Sequence, residues 1–240
     1  MANQLDILAF GAHPDDVELS CAGTISKEIA SGKKIGIVDL TRGELGTRGS
    51  ADIRDQEANK AASLLGAVCR ENLGFRDGFF INDEQHQIAV IEIIRKHKPK
   101  TVLCNAQTDR HIDHGRAAAI LQDACFLSGL QKIETTLEGK SQEPWRPSQV
   151  YHYMQWNNDP CDFVVDISDY MDKKMEVILA YSSQFYNKKS NEPETPISTK
   201  QFLSSIENRA ADLGRIIGVS YAEGFTTNRL LAVSQISDLI

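Results

Sequence analysis

Short apolar runs alternate along the first half of the chain with stretches whose apolar positions recur every third or fourth residue. LDILAFG, residues 5–11, reads as a parallel strand covered on both faces. Residues 23–31 read as a helix closed by Gly32, and KIGIVDLT, 34–41, as the next strand. Ala58, Ala61, Ala62 and Leu65 place a helix over 51–65, ended by Gly66. After a short segment around RENLGF, Ile88, Ile91, Ile94 and Arg95 mark a helix that stops before Pro99. TVLCN, 101–105, is a further strand, followed by a helix lined by Ala117, Ile120, Leu121, Ala124 and Cys125. This order predicts an α/β fold, a Rossmann-like and mostly parallel sheet flanked by helices.

The second half is less regular. QVYHYMQ and DFVVDIS read as strands and 169–182 as helical, while the polar stretch 186–199 has the composition of a loop or flap. Phe202, Ile206, Ala210, Leu213 and Ile217 fall on one side of a helix over 200–217. With no repeat and no linker, the expectation is a single domain over 1–240. Its core is 1–129, and 130–240 is a C-terminal elaboration.

Composition narrows the function. A net charge of −7 argues against nucleic acid as the main partner, because phosphate binding needs a basic field. The five cysteines (Cys21, Cys69, Cys104, Cys125, Cys161) never form a C-x-x-C pair and read as free thiols of a reducing compartment. Without a signal-peptide pattern or a membrane-length apolar run, the expected location is cytoplasmic, with no membrane partner.

Ligands in open α/β sheets bind beyond the carboxyl ends of the strands. Three polar loops occupy such ends: AHPDD after the first strand, TRGELGTRG (41–49) after the second, and NAQTDRHIDHGR (105–116) after TVLCN. In the first, Pro14 fixes the chain between His13 and Asp16, which point the same way. Crowding Asp15, Asp16 and Glu18 together calls for a positive charge among them. A third ligand from His111, Asp113 or His114 would complete a site of two imidazoles and a carboxylate, a usual ligand count for catalytic zinc. Asp15 would then face the open position. Taken singly, His-Pro-Asp is more often a turn, and H-x-x-H a solvated helix cap. His86, His97 and His152 lack such company and read as structural, and Cys21 as a small core residue. GAHPDD is not a dinucleotide fingerprint, and TRGELGTRG lacks the lysine of a P-loop and reads equally as a mobile loop.

AHPDDVE followed by HIDH resembles the PIG-L/LmbE-like de-N-acetylases, and the match runs to YAEGF near the C-terminus. AYSSQF and GVSYAEGF resemble the branch that removes acetate from N-acetylglucosaminyl-malate in bacillithiol biosynthesis, although that branch often has His-Ala-Asp-Asp where this chain has His-Pro-Asp-Asp. The resemblance implies that His13, Asp16 and His114 hold a metal, usually Zn2+, with Fe2+ or another divalent ion as the other options. It implies Asp15 as general base, a protonated His111 as oxyanion stabiliser, and Asp113 orienting His111. It places Arg54 and Glu57 against the sugar and Arg110 against the malate carboxylate. It also implies a homo-oligomer, often a hexamer, acting on a small amino-sugar substrate. The alternatives are deacetylation of another N-acetylglucosamine conjugate or a chito-oligosaccharide, a non-haem Fe(II) oxygenase, and a non-catalytic sugar-binding module.

Overall fold

The sheet is built from the inside outward. In a computed structural model that describes residues 4–238, strand β1 (Ile7–Gly11) is buried along its whole length and pairs in parallel with β2 (Ile35–Thr41) and β4 (Thr101–Cys104). Outside these lie β3 (Cys69–Phe75), parallel to β2, and β7 (Gln149–Tyr153), parallel to β4. Strand β9 (Ala222–Thr226) runs antiparallel to both β7 and β8 (Phe163–Asp166), which completes a seven-stranded sheet of order β3-β2-β1-β4-β7-β9-β8. Strands from both halves of the chain therefore share one sheet. A two-stranded hairpin, β5 (Thr136–Leu137) and β6 (Lys140–Ser141), stands apart.

Alternation along β1 divides the core in two. Ile7 and Ala9 face one apolar cluster with α1 (Asp16–Ala30), α2 (Ala51–Leu65), α5 (Met171–Ile178) and α6 (Lys200–Ile217). Leu8 and Phe10 face the other, with α3 (Glu84–His97) and α4 (Ile112–Leu127). Both faces of the sheet are thus covered, as a parallel sheet requires. Among the described residues, no helix is long and apolar enough to cross a membrane.

Four elements depart from the sequence reading, each for a physical reason. Helix α1 starts at Asp16 rather than at residue 23, because acidic side chains in a first turn favour the positive end of the helix. Its path is broken at Cys21 (φ −142, ψ 19). The carboxylate of Glu223, on β9, accepts the freed Gly23 N–H (3.0 Å) and Thr24 N–H (2.7 Å) there. Lys174 Nζ donates to the same group at 2.6 Å, so this buried charge is paired. Strand β3 was unassigned because it is a partly exposed edge whose sequence, CRENLGF, carries charge at its centre. Strand β9 was unassigned because AEGFT is short and holds a glutamate that caps a helix instead of facing water. Helix α5 is shorter than 169–182 and follows a single 3-10 turn, Ser168–Tyr170.

Candidate active site

The chain leaves β1 toward β2 on one side and reaches β4 on the other, so the crevice between β1 and β4 is the point where strand order reverses. The loops after both strands meet there. Asn105, just past β4, accepts the Ala12 N–H (2.9 Å) and donates to Asp16 Oδ2 (3.0 Å), tying one loop to the other. Gln155, just past β7, donates to Asp16 Oδ1 at 3.2 Å.

His13, Asp16 and His114 converge in this crevice. Asp16 Oδ1 lies 3.1 Å from His114 Nε2, and Asp16 Oδ2 lies 3.5 Å from His13 Nδ1. The outer nitrogen of each ring is held by a further carboxylate. His114 Nδ1 meets Asp109 at 2.5 Å, and His13 Nε2 meets Asp77 at 3.1 Å. Outer carboxylates that fix the tautomer while the inner nitrogens face a common point are the wiring of metal-ligating histidines. The donor chemistry, two imidazoles and a carboxylate, fits a divalent cation of the zinc type. Ring nitrogens of His13, His111 and His114 lie within 4.8 Å of one another, so His111 borders the same point.

The electrostatics agree with this crowding. Burial opposes charge on His13, but Asp113, Asp16 and Asp77 outweigh it and hold its pKa well above the ordinary range. Burial likewise opposes charge on His114, yet Asp16 and Asp109 raise its pKa to about 9. Burial pushes the Asp16 carboxyl upward, but His114 and His13 prevail and hold it well below the usual value.

Asp15 sits at the N-cap of α1 with φ 110 and ψ −22, a left-handed conformation that a non-glycine residue seldom adopts. Strain of this kind persists only where the surroundings impose it. Arg54, from α2, imposes it here: its Nη2 donates to Asp15 Oδ2 at 3.0 Å and also to the Pro14 carbonyl. Burial, opposed by Arg54 and reinforced by Asp16, pushes the Asp15 carboxyl up to about 7, not the ordinary value of a free aspartate. The third carboxylate of the motif, Glu18, is paired with Arg70, which also grips Asp39 through two bonds of 2.7 and 2.8 Å. Two arginines thus carry part of the compensation that the sequence reading assigned to a metal.

Gly43 makes room for Arg54. It holds φ +62, and a Cβ there would lie 1.9 Å from Arg54 Nη1. Gly43→Ala is expected to cost roughly 1–3 kcal/mol and to displace the guanidinium from Asp15. Denaturant unfolding and kcat measured on the same variant check both parts.

Three expected roles change. Asp113 does not direct its carboxylate at His111: it accepts from Gly78 N–H (2.7 Å) and Arg116 (3.0 Å) and lies 3.5 Å from His13 Nε2. The backbone N–H of Asp113 is what touches His111, donating to Nδ1 at 3.3 Å. That bond places the proton of His111 on Nε2. Burial and the neighbouring His13 and His114 lower the His111 pKa, which works against the imidazolium expected there. Glu57, expected against the sugar, is engaged elsewhere: its carboxylate accepts from Ser183 N–H (2.8 Å), Ser183 Oγ (2.7 Å) and Ser182 Oγ (3.1 Å). Arg54 lines the cavity but is engaged with Asp15. Arg110 also lines it, with its guanidinium stacked 4.1 Å over the Trp156 ring.

Asp77, Asp109, Asn105 and Gln155 escaped the sequence reading. Asp109 and Asn105 lie inside the quoted NAQTDRHIDH loop, where the spacing of Asp109 from His114 was the available signal. Asp77 follows β3, so recognising that strand would have put its loop on the same rim. Nothing local marks Gln155.

Asp77, Asp109 and Gln155, with His13, Asp15, Asp16, His111 and His114, line a cavity of about 310 Å³. Residues 186–199 form no regular element. They are fastened to the 41–49 loop by Arg48, which donates to Ser190 Oγ (2.9 Å) and Pro193 O (3.3 Å) and, just before the stretch, to Ser183 O (2.7 Å). Ile197, from that stretch, reaches the cavity wall.

Comparison with known proteins completes the description. Residues 8–125 match the family model of PIG-L, GlcNAc-PI de-N-acetylase. The chain is 28% identical to the diacetylchitobiose deacetylase of Thermococcus kodakarensis over 229 residues, covering 91% of this chain and 81% of that protein. It resembles the conserved protein TT1542 of Thermus thermophilus with 33% identity and a TM-score of 0.84, covering 96% of this chain and 98% of that one. The N,N'-diacetylchitobiose deacetylase of Pyrococcus horikoshii is 25% identical with a TM-score of 0.78, over 98% of this chain and 88% of its own.

Proposed function

The chain belongs to the PIG-L family and is a metal-dependent de-N-acetylase, and we propose that its substrate is a chito-oligosaccharide of the diacetylchitobiose kind. The observation that carries the chemistry is the convergence of His13, Asp16 and His114, with outer nitrogens on carboxylates, beside a strained Asp15. The similarity to two diacetylchitobiose deacetylases supports the substrate and favours it over the malate conjugate expected from flanking segments.

In this reading His13, Asp16 and His114 hold the metal. A divalent cation there would polarise the acetyl carbonyl and acidify water. Asp15 takes a proton from the attacking water. Its pKa of about 7 lets it return that proton to the sugar nitrogen as the C–N bond breaks, leaving acetate and a free amine. Arg54 fixes the Asp15 carboxylate for both transfers. His111, whose Nδ1 accepts the Asp113 N–H, presents its Nε2–H to the developing oxyanion, a role an imidazole can fill. Loss of a donor of this kind typically lowers kcat by about 10²–10³-fold.

A second reading is favoured by the cavity mouth, where Arg110 and Arg209 both line the wall and would suit an acidic substituent such as malate. Side-by-side turnover of N,N'-diacetylchitobiose and N-acetylglucosaminyl-malate decides between the two. On the first reading chitobiose has the higher kcat/KM, and Arg110→Ala affects both substrates alike. On the second, Arg110→Ala raises KM for the malate conjugate alone by about 10–100-fold, the value of a charged hydrogen bond.

A further inference from the structure

The cavity has two unlike sets of lining side chains. Asp15, Arg54, Asp77, Arg110 and His111 offer charge and hydrogen bonds. Leu19, Met154, Ile197, Phe202, Ile206 and Leu213 offer only carbon and sulfur. The apolar set begins beside the reacting atoms. Leu19 is on the first turn of α1, after Asp16, and Met154 directly precedes Gln155, which bonds Asp16. From there Phe202, Ile206, Ala210 and Leu213 continue it as one stripe of α6, spaced at three and four residues.

Lys174 and Glu223 also line the cavity, but they are satisfied internally. Lys174 and Glu223 pair at 2.6 Å, and Glu223 also accepts the two N–H groups at the break in α1. They leave little for a charged end of a ligand.

An amide presents two substituents. The hydroxyl-rich sugar finds partners along the polar set, whereas the two polar lining residues of α6 are already engaged, Ser205 Oγ with the Phe202 carbonyl (2.7 Å) and Arg209 with the Trp156 carbonyl (2.7 Å). The acyl group is the apolar substituent, and a lone methyl would leave the α6 stripe uncovered. Resting on the deacylase reading above, we propose that this stripe receives the acyl side, so that the chain hydrolyses amino sugars bearing unbranched butyryl to hexanoyl groups as well as acetyl, with kcat/KM rising along the series. Water supplies the oxygen that bonds to the acyl carbon, the C–N bond breaks, and a short-chain carboxylate and a free amine leave.

The test is amine release from chitobiose N-acylated with acetyl, butyryl or hexanoyl, using the zinc-loaded 240-residue chain. Each buried methylene is worth about fourfold, so the hexanoyl compound should exceed the acetyl one by at least about tenfold in kcat/KM. Ala210→Leu and Leu213→Phe, checked for folding by circular dichroism, should each reduce the hexanoyl-to-acetyl ratio by about tenfold. Acetyl hydrolysis with a flat or falling series would overturn this inference and leave the deacetylase reading intact. Failure to release amine from any of the three would overturn the reading on which it rests.

Discussion

Asp15→Asn is expected to lower kcat by roughly 10²–10⁴-fold, the usual contribution of a positioned general base, while the protein keeps its metal and its fold. Asparagine is nearly isosteric and tolerates a left-handed backbone better than most residues, so the φ of 110 at this N-cap is retained. Asp15 makes no side-chain cap bond to α1, so the helix start loses nothing. What changes is the proton: an amide cannot accept one from water or return it to a leaving amine. Arg54 also loses its ionic partner while remaining nearly buried, so a moderate drop in Tm accompanies the kinetic loss. Single-turnover kinetics, metal analysis and thermal unfolding on one preparation separate these effects. Turnover within about tenfold of the parent chain would remove Asp15 as the base, because that is less than the base is asked to supply.

Asp16→Ala is expected to abolish metal retention, with an effect larger than the roughly 10–100-fold that follows loss of an outer-shell partner. This carboxylate is the element both histidines share. It also accepts the His13 backbone N–H at 2.9 Å and is oriented by Asn105 and Gln155, so its loss frees both loops at once. Elemental analysis after dialysis reads the result. Asp77→Asn, which meets His13 only at its outer nitrogen and otherwise accepts the Leu45 N–H (2.9 Å), should fall within the smaller range. Equal metal content in Asp16→Ala and the parent chain would place the cation elsewhere.

Much of this was legible before the fold was known. Residues 5–11 and 101–105 are short and apolar enough to be central strands, and a parallel sheet sends the loops that follow them to one rim. His13, Asp15 and Asp16 therefore had to lie near His111 and His114. The helices at 51–65 and 200–217 were bounded by glycines in the left-handed conformation, Gly66 and Gly218, which mark helix ends plainly.

The rest depended on partners distant in sequence. Glu223 is inside a strand because the break in α1 needs a carboxylate, a demand visible only once β9 lies beside that helix. The resemblance places Glu57 against the sugar, yet Ser182 and Ser183 arrive from the other half of the chain to engage it. Asp113 stands two positions from His111, but a helix start turns its carboxylate toward His13 and Gly78 instead. The lowered pKa of His111 follows from burial and from His13 and His114 beside it, and its Nδ1 is taken by the Asp113 N–H, none of which is written in the spacing of HIDH.

The most direct measurement is amine release from N,N'-diacetylchitobiose by protein stripped with a chelator, dialysed, and then assayed before and after one equivalent of Zn2+. The account predicts no release from the stripped protein and recovery of turnover on metal addition, with Asp16→Ala failing to recover. Equal turnover before and after stripping would contradict it, as would the absence of amine release from any N-acetylglucosamine conjugate by the zinc-loaded chain.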